Sequence, residues 1–207
     1  MTAELPSRAT RGHGLVEGIL ARKRCAMALH LLREVSPLHA VLDIGCGSFP
    51  TLLDAVSADR RVGIDQLISE DAQRTFAARG IDLVRHDIAA QPRLPFDDEA
   101  FDAVTMLAFI EHISLEVATA LMPEVHRVLR PGGVLVLTTP PPWTDRLLRV
   151  MARGRLVSAE EIEEHTSYYS LQALRAVLAG GGFPQAQVET GTFEWGLNLW
   201  ARAARQK

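Results

Sequence analysis

The stretch Val41-Leu42-Asp43-Ile44-Gly45-Cys46-Gly47-Ser48-Phe49-Pro50 decides how this chain is read. A short apolar run ends in an acidic residue and a glycine-rich turn, and Leu52, Leu53, Ala55 and Val56 continue at helical spacing. A strand turning tightly into a helix aims backbone N–H groups and the positive helix end at one point, which suits the anionic or polar part of a nucleotide-like ligand. Gly45 and Gly47 permit the sharp bend and a close approach of backbone to ligand. Packing alone also places glycines in such turns, so the flanking sequence has to decide.

Working outward, strand patterns occur at Ala40–Ile44, Arg61–Ile64, Asp82–Arg85, Phe101–Met106 and Val134–Thr138. Helical patterns separate them at Pro50–Ser57, Ser69–Arg79 and Leu115–Leu129, and another runs from Leu15 to the Ser36-Pro37 break. The strands are mostly apolar runs rather than in-out alternations, as expected of parallel strands covered on both faces. The alternation predicts a doubly wound α/β sandwich. Beyond Thr139 the pattern changes. Pro140-Pro141-Pro142 ends the sheet strand, and helical patterns follow at Trp143–Arg153, Ser158–Glu164 and Ser170–Leu178, the last with Ser170 as N-cap. Gln185–Thr192 and Leu197–Ala203 then alternate as the arms of a hairpin. The expected organisation is a polar lead over residues 1–12 and a single domain over 13–207, with a cap inserted at about 140–169.

Lys+Arg 22 against Asp+Glu 25 gives a formal net charge of -3, which argues against a general nucleic-acid coat. Cys25 and Cys46 form neither a CxxC pair nor a disulfide framework, and no His/Cys/Asp/Glu spacing reads as a metal site. Met1–Arg11 lacks the apolar core of a signal peptide, so a cytoplasmic location is expected.

Two further acids give the glycine turn its meaning. Asp65 ends Val62-Gly63-Ile64-Asp65, roughly 20 residues past the turn, where an acid can grip both hydroxyls of a ribose. Asp87 follows the third strand in His86-Asp87-Ile88. It suits either the exocyclic amine of an adenine, with Ile88 packing on the ring, or the cap of a turn. Three strand ends thus offer a backbone cradle, a ribose acid and a purine shelf, where open α/β sheets bind ligands.

On these residues the chain resembles the class I S-adenosylmethionine-dependent methyltransferases, most closely the small-molecule branch (type 11) that includes quinone-biosynthesis enzymes. The resemblance runs over about residues 38–203. It rests on Val41–Gly47, Val62–Asp65, His86–Ile88, Leu94–Asp97 through Phe101–Val104, Glu111-His112, Leu129–Leu135 and His165–Phe183. It implies a Rossmann-like seven-stranded sheet with an antiparallel last strand, and S-adenosyl-L-methionine as cofactor. By position, Gly45 and Gly47 would line its methionine part, with Asp65 on the ribose and Asp87 on the adenine amine. Asp43 would brace the turn and reach the ammonium through water. Leu107 would offer its backbone, and Cys46, Gln66 and Ile88 complete the set. Phe49 departs from the family pattern, which favours a small residue there. A dinucleotide fingerprint would need glycine where Pro50 stands, which excludes a dehydrogenase.

The implied reaction is in-line methyl transfer to a small-molecule or lipid-linked acceptor. His112 is the expected base, with capping of the helix near Ser114 as the alternative for Glu111-His112. His165, Tyr168 and Tyr169 form a second catalytic set, with packing as its alternative, and His126 is expected at the surface. Trp143–Val157 alternates apolar and arginine residues, a pattern that can lie on an anionic membrane or hold an acidic acceptor, or simply form a lid. A cofactor-binding protein without catalysis and an RNA or protein methyltransferase remain the competing functions.

Overall fold

The computed structural model describes residues 17–35, 37–144, 167 and 169–207. The lead at 1–12, His165, Tyr168 and most of the cap expected at 140–169 lie outside the described residues, as does Trp143–Val157 apart from Trp143 and Thr144.

Seven strands form one sheet: β1 (Ala40–Ile44), β2 (Arg60–Asp65), β3 (Ile81–Arg85), β4 (Phe101–Leu107), β5 (Leu129–Thr139), β6 (Val188–Phe193) and β7 (Asn198–Ala204). Their order is β3-β2-β1-β4-β5-β7-β6. The pairs among β1 to β5 are parallel, and β7 inserts antiparallel between β5 and β6. This is the architecture expected from the resemblance. The chain winds away from β1 in both directions, so the sheet reverses between β1 and β4, and a crevice opens there at the strands' C-terminal ends.

Successive strand residues serve opposite cores. Val41, Ala103, Val134 and Val136 face α1 (Glu17–Leu32), α2 (Thr51–Ala55) and α3 (Glu70–Ala77), through Cys25, Ala28, Leu52, Leu53 and Phe76. Leu42, Ile44, Val104, Met106 and Leu135 face α4 (Leu115–Val128) and α5 (Leu171–Gly180), through Leu121, Met122, Val125, Leu174 and Leu178. Burial on both faces is why these strands read as apolar runs. Three serines start helices as N-caps: Ser69, Ser114 and Ser170 accept from Ala72, Val117 and Ala173 N–H groups.

Some boundaries differ from expectation. β5 starts at Leu129, not Val134, because Phe101 pairs Leu129 and Ala103 pairs Val134 across an irregular step. Gly133 belongs to that step: a Cβ there would lie 2.9 Å from the Arg130 carbonyl oxygen and 3.0 Å from that of Asp102. Gln185–Gln187 is a 3-10 turn after Pro184, so the hairpin's first arm begins at Val188.

Candidate functional site

β1 and β2 carry the site's two buried acids to neighbouring strand tips. Gly45 (φ 75°) and Gly47 (φ 65°) both adopt the left-handed backbone that favours glycine. Gly45 N–H donates to the Ile64 carbonyl at 2.8 Å. Gly47 N–H donates to Asp65 Oδ2 at 3.0 Å, and Leu67 N–H donates to Oδ1 at 2.8 Å. Asp65, 4% exposed, therefore ties the glycine turn to the end of β2. Close approach at Gly45 comes from within the protein: a Cβ there would lie 2.2 Å from Phe109 Cδ2. Gly63, paired with Asp43 in register, likewise leaves room for Cys46, whose Sγ would lie 2.7 Å from a Cβ at 63.

Asp43 is buried and accepts from Thr105 Oγ1 at 2.6 Å, across the β1–β4 pair. Burial pushes its carboxyl up from 3.8 to about 7; the Thr105 hydrogen bond opposes this and the charge of Asp65 adds to it. Burial and then Asp43 push the Cys25 thiol up to about 11, so it stays protonated at neutral pH and is no nucleophile.

Two adjoining cavities open at these strand tips. Asp65, Gln66, Asp87, Ile88, Phe109 and His112 line the first. Asp87 Oδ1 accepts from Ala89 N–H at 2.9 Å and Ala90 N–H at 3.1 Å. Asp87 thus does cap a turn, and it also lines the first cavity, beside buried Ile88. Arg24, Cys25, Asp43, Gly45, Cys46 and Leu107 line the second cavity. The sequence reading missed Arg24. Its signal was the Ala21, Arg24, Cys25 spacing, which places all three on the inner face of α1.

The donor sets fit S-adenosylmethionine. An acid pair and an apolar floor in the first cavity suit a nucleoside. A guanidinium and a carboxylate in the second match the opposite charges of an α-amino acid. His112 stands at the rim of the first cavity, in the 3-10 turn Ile110–His112. The capping alternative for Glu111 and His112 falls, because Ser114 caps α4.

Tyr169 is a correction. It is 2% exposed, packs in the main core and lines neither cavity. Burial raises its pKa, against the Ser167 hydrogen bond and with the nearby charge of Glu111. His126 is half-buried rather than superficial, stacking edge-on against Phe183 at 5.1 Å between centroids. Phe49 meets Phe76 edge-on at 5.3 Å while also lining the second cavity, which accommodates the bulky residue there. Among the described residues no His/Cys/Asp/Glu cluster could hold a metal ion, and no helix is long and apolar enough to cross a membrane.

Residues 42–137, from β1 to β5, match the family model described as a methyltransferase domain. Over these residues the chain is similar to the methyltransferase-domain family. Among similar proteins is the ubiquinone/menaquinone biosynthesis C-methyltransferase of Desulfotalea psychrophila, 31% identical over 130 residues, covering 55% of this chain and 51% of that one. Another is the demethylmenaquinone methyltransferase of Staphylococcus epidermidis, 36% identical over 102 residues, with 46% and 40% covered. The chain thus spans about half the length, or less, of these curated relatives. Its fold is shared with a SAM-dependent methyltransferase from Thermotoga maritima, at a TM-score of 0.64, 17% identity, and 91% and 92% coverage.

Proposed function

We propose that this methyltransferase binds S-adenosylmethionine across the two adjoining cavities and transfers its methyl group to a small-molecule or lipid-linked acceptor. One observation carries the reading. Two chemically distinct pockets, one suited to a nucleoside and one to a zwitterionic amino acid, lie on either side of the Gly45–Phe109 contact at the tips of β1, β2 and β4. The names of the quinone-pathway relatives support an apolar, ring-bearing acceptor.

In this reading Asp65 accepts from the ribose hydroxyls while Gly47 and Leu67 hold its carboxylate still. Asp87 accepts from the adenine amine and Ile88 packs on the ring. Arg24 pairs with the methionine carboxylate. Asp43, fixed by Thr105, faces the ammonium. The bound sulfonium supplies an electrophilic methyl group, so the protein's main task is alignment. His112, at the cavity rim, accepts a proton from the acceptor.

The test is to incubate the protein with S-adenosylmethionine and a panel of phenols, quinone precursors and lipid-linked sugars. Formation of S-adenosylhomocysteine together with a methylated acceptor supports the reading. Cofactor binding with no turnover on any acceptor class would favour a binding role instead.

A further inference from the structure

Trp195 is 95% exposed, an unusual state for the residue with the largest apolar surface. It sits at the β6–β7 turn on a run of left-handed backbone: Glu194 (φ 53°), Trp195 (φ 56°) and Gly196 (φ 85°). Two of these are non-glycine residues, each strained by roughly 1–3 kcal/mol. The fold tolerates that strain and in return presents an indole to solvent.

Trp195 is not isolated. Trp143, 57% exposed, approaches the same turn, with its Cζ2 3.8 Å from where a Cβ on Gly196 would stand. Lys23 on α1 lies 5.8 Å from the Trp195 ring centroid and 3.6 Å from Glu194. Ile19, one turn earlier on the same helix face, is 47% exposed. Among the described residues, three of the five large exposed apolar side chains therefore gather at one corner. That corner lies at the end of the sheet where the two cavities open, because the hairpin turn sits beside the C-terminal end of β5. α1 adds charge: Arg22, Lys23 and Arg24 are consecutive, and no acidic residue follows Glu17 through Leu32.

We propose that Ile19, Arg22, Lys23, Trp143 and Trp195 form a docking surface for an anionic lipid bilayer. Indoles with an apolar body and a polar N–H settle at the headgroup boundary, and adjacent cations complement anionic headgroups. Docked this way, the catalytic end of the sheet faces the membrane, where an apolar acceptor would reside. The placement rests on surface chemistry, independently of the cofactor assignment.

The full chain is sedimented with vesicles of phosphatidylcholine alone and of phosphatidylcholine containing phosphatidylglycerol, with tryptophan emission recorded in parallel. The expected result is sedimentation with the anionic vesicles and a blue-shifted emission, both lost at high salt. Arg22→Glu should weaken partitioning roughly fivefold or more. Trp195→Gly combined with Trp143→Ser should weaken it roughly tenfold or more. Trp195→Gly keeps the turn and relieves the left-handed strain, so this single variant should melt no lower than the parent. Reduced partitioning of this single variant therefore reports docking rather than misfolding. Failure of the parent to sediment with anionic vesicles, or unchanged sedimentation of the double variant, overturns the proposal. A concentration-dependent dimer that Trp195→Gly abolishes, with no vesicle binding, would assign the corner to a second copy and also overturn it. Titration with S-adenosylmethionine reads the cofactor assignment separately and does not bear on these outcomes.

Discussion

The Phe109 ring lies directly over Gly45, so that a side-chain carbon at residue 45 would come within 2.2 Å of Cδ2. The same glycine carries φ 75°, and each feature alone would disfavour any other residue. Gly45→Ala is therefore expected to destabilise the protein by at least about 2 kcal/mol, from backbone strain and overpacking together. Its melting temperature should fall by roughly 4–8 °C. Adding Phe109→Ala should relieve the steric part of the Gly45→Ala defect while leaving the backbone part. A double-mutant cycle by thermal melting checks this coupling.

Asp43 should make both stability and affinity depend on pH. Its folded-state pKa, about 7, lies above the ordinary 3.8. The native state therefore holds a proton that the unfolded chain releases, and this contribution to stability is lost as pH rises from about 4 through about 7. Asp43→Asn keeps an acceptor for Thr105 but cannot ionise, so its melting temperature relative to the parent should climb from pH 5 to pH 8. An ammonium beside Asp43 favours the ionised form, so parent affinity for S-adenosylmethionine should strengthen as pH rises through about 7. A flat affinity profile in the parent would remove Asp43 from the ligand's surroundings.

In the proposed reading, His112 at the rim of the first cavity takes the acceptor's proton and does not hold the cofactor's charged ends. His112→Ala is expected to lower kcat about 10²–10⁴-fold on a hydroxyl acceptor, with little change in cofactor Kd. An equal loss in both would make it a binding residue.

Much of this arrangement was legible before the structure, for local reasons. Gly47 and Asp65 announced themselves because a strand, a turn and the next strand's end obey a fixed spacing, and Ser170 because caps are local chemistry. Arg24 was legible only in part: its spacing from Ala21 and Cys25 was visible, but which face of α1 turns inward depends on how the helix docks across the sheet. Tyr169 misled for the opposite reason. Its hydroxyl suggests chemistry, but its ring is needed between the sheet and the helices, and sequence does not reveal that demand. The early start of β5 at Leu129 depends on the irregular pairing around Arg130–Gly133, which is a tertiary fact.

Arg24 offers a separation of the ligand's two ends. Arg24→Ala is expected to weaken S-adenosylmethionine binding about tenfold to a hundredfold, the range for losing one charge-assisted pair. Its affinity for 5′-deoxy-5′-methylthioadenosine, which lacks the amino-acid moiety, should be unchanged.

The most direct test titrates both ligands calorimetrically into the parent, Asp65→Ala and Arg24→Ala. If one nucleotide spans both cavities, the parent binds each ligand, Asp65→Ala weakens both by about tenfold or more, and Arg24→Ala weakens S-adenosylmethionine alone. Absence of binding by the parent at millimolar concentration, or an Asp65→Ala variant with parental affinity for both ligands, would contradict it.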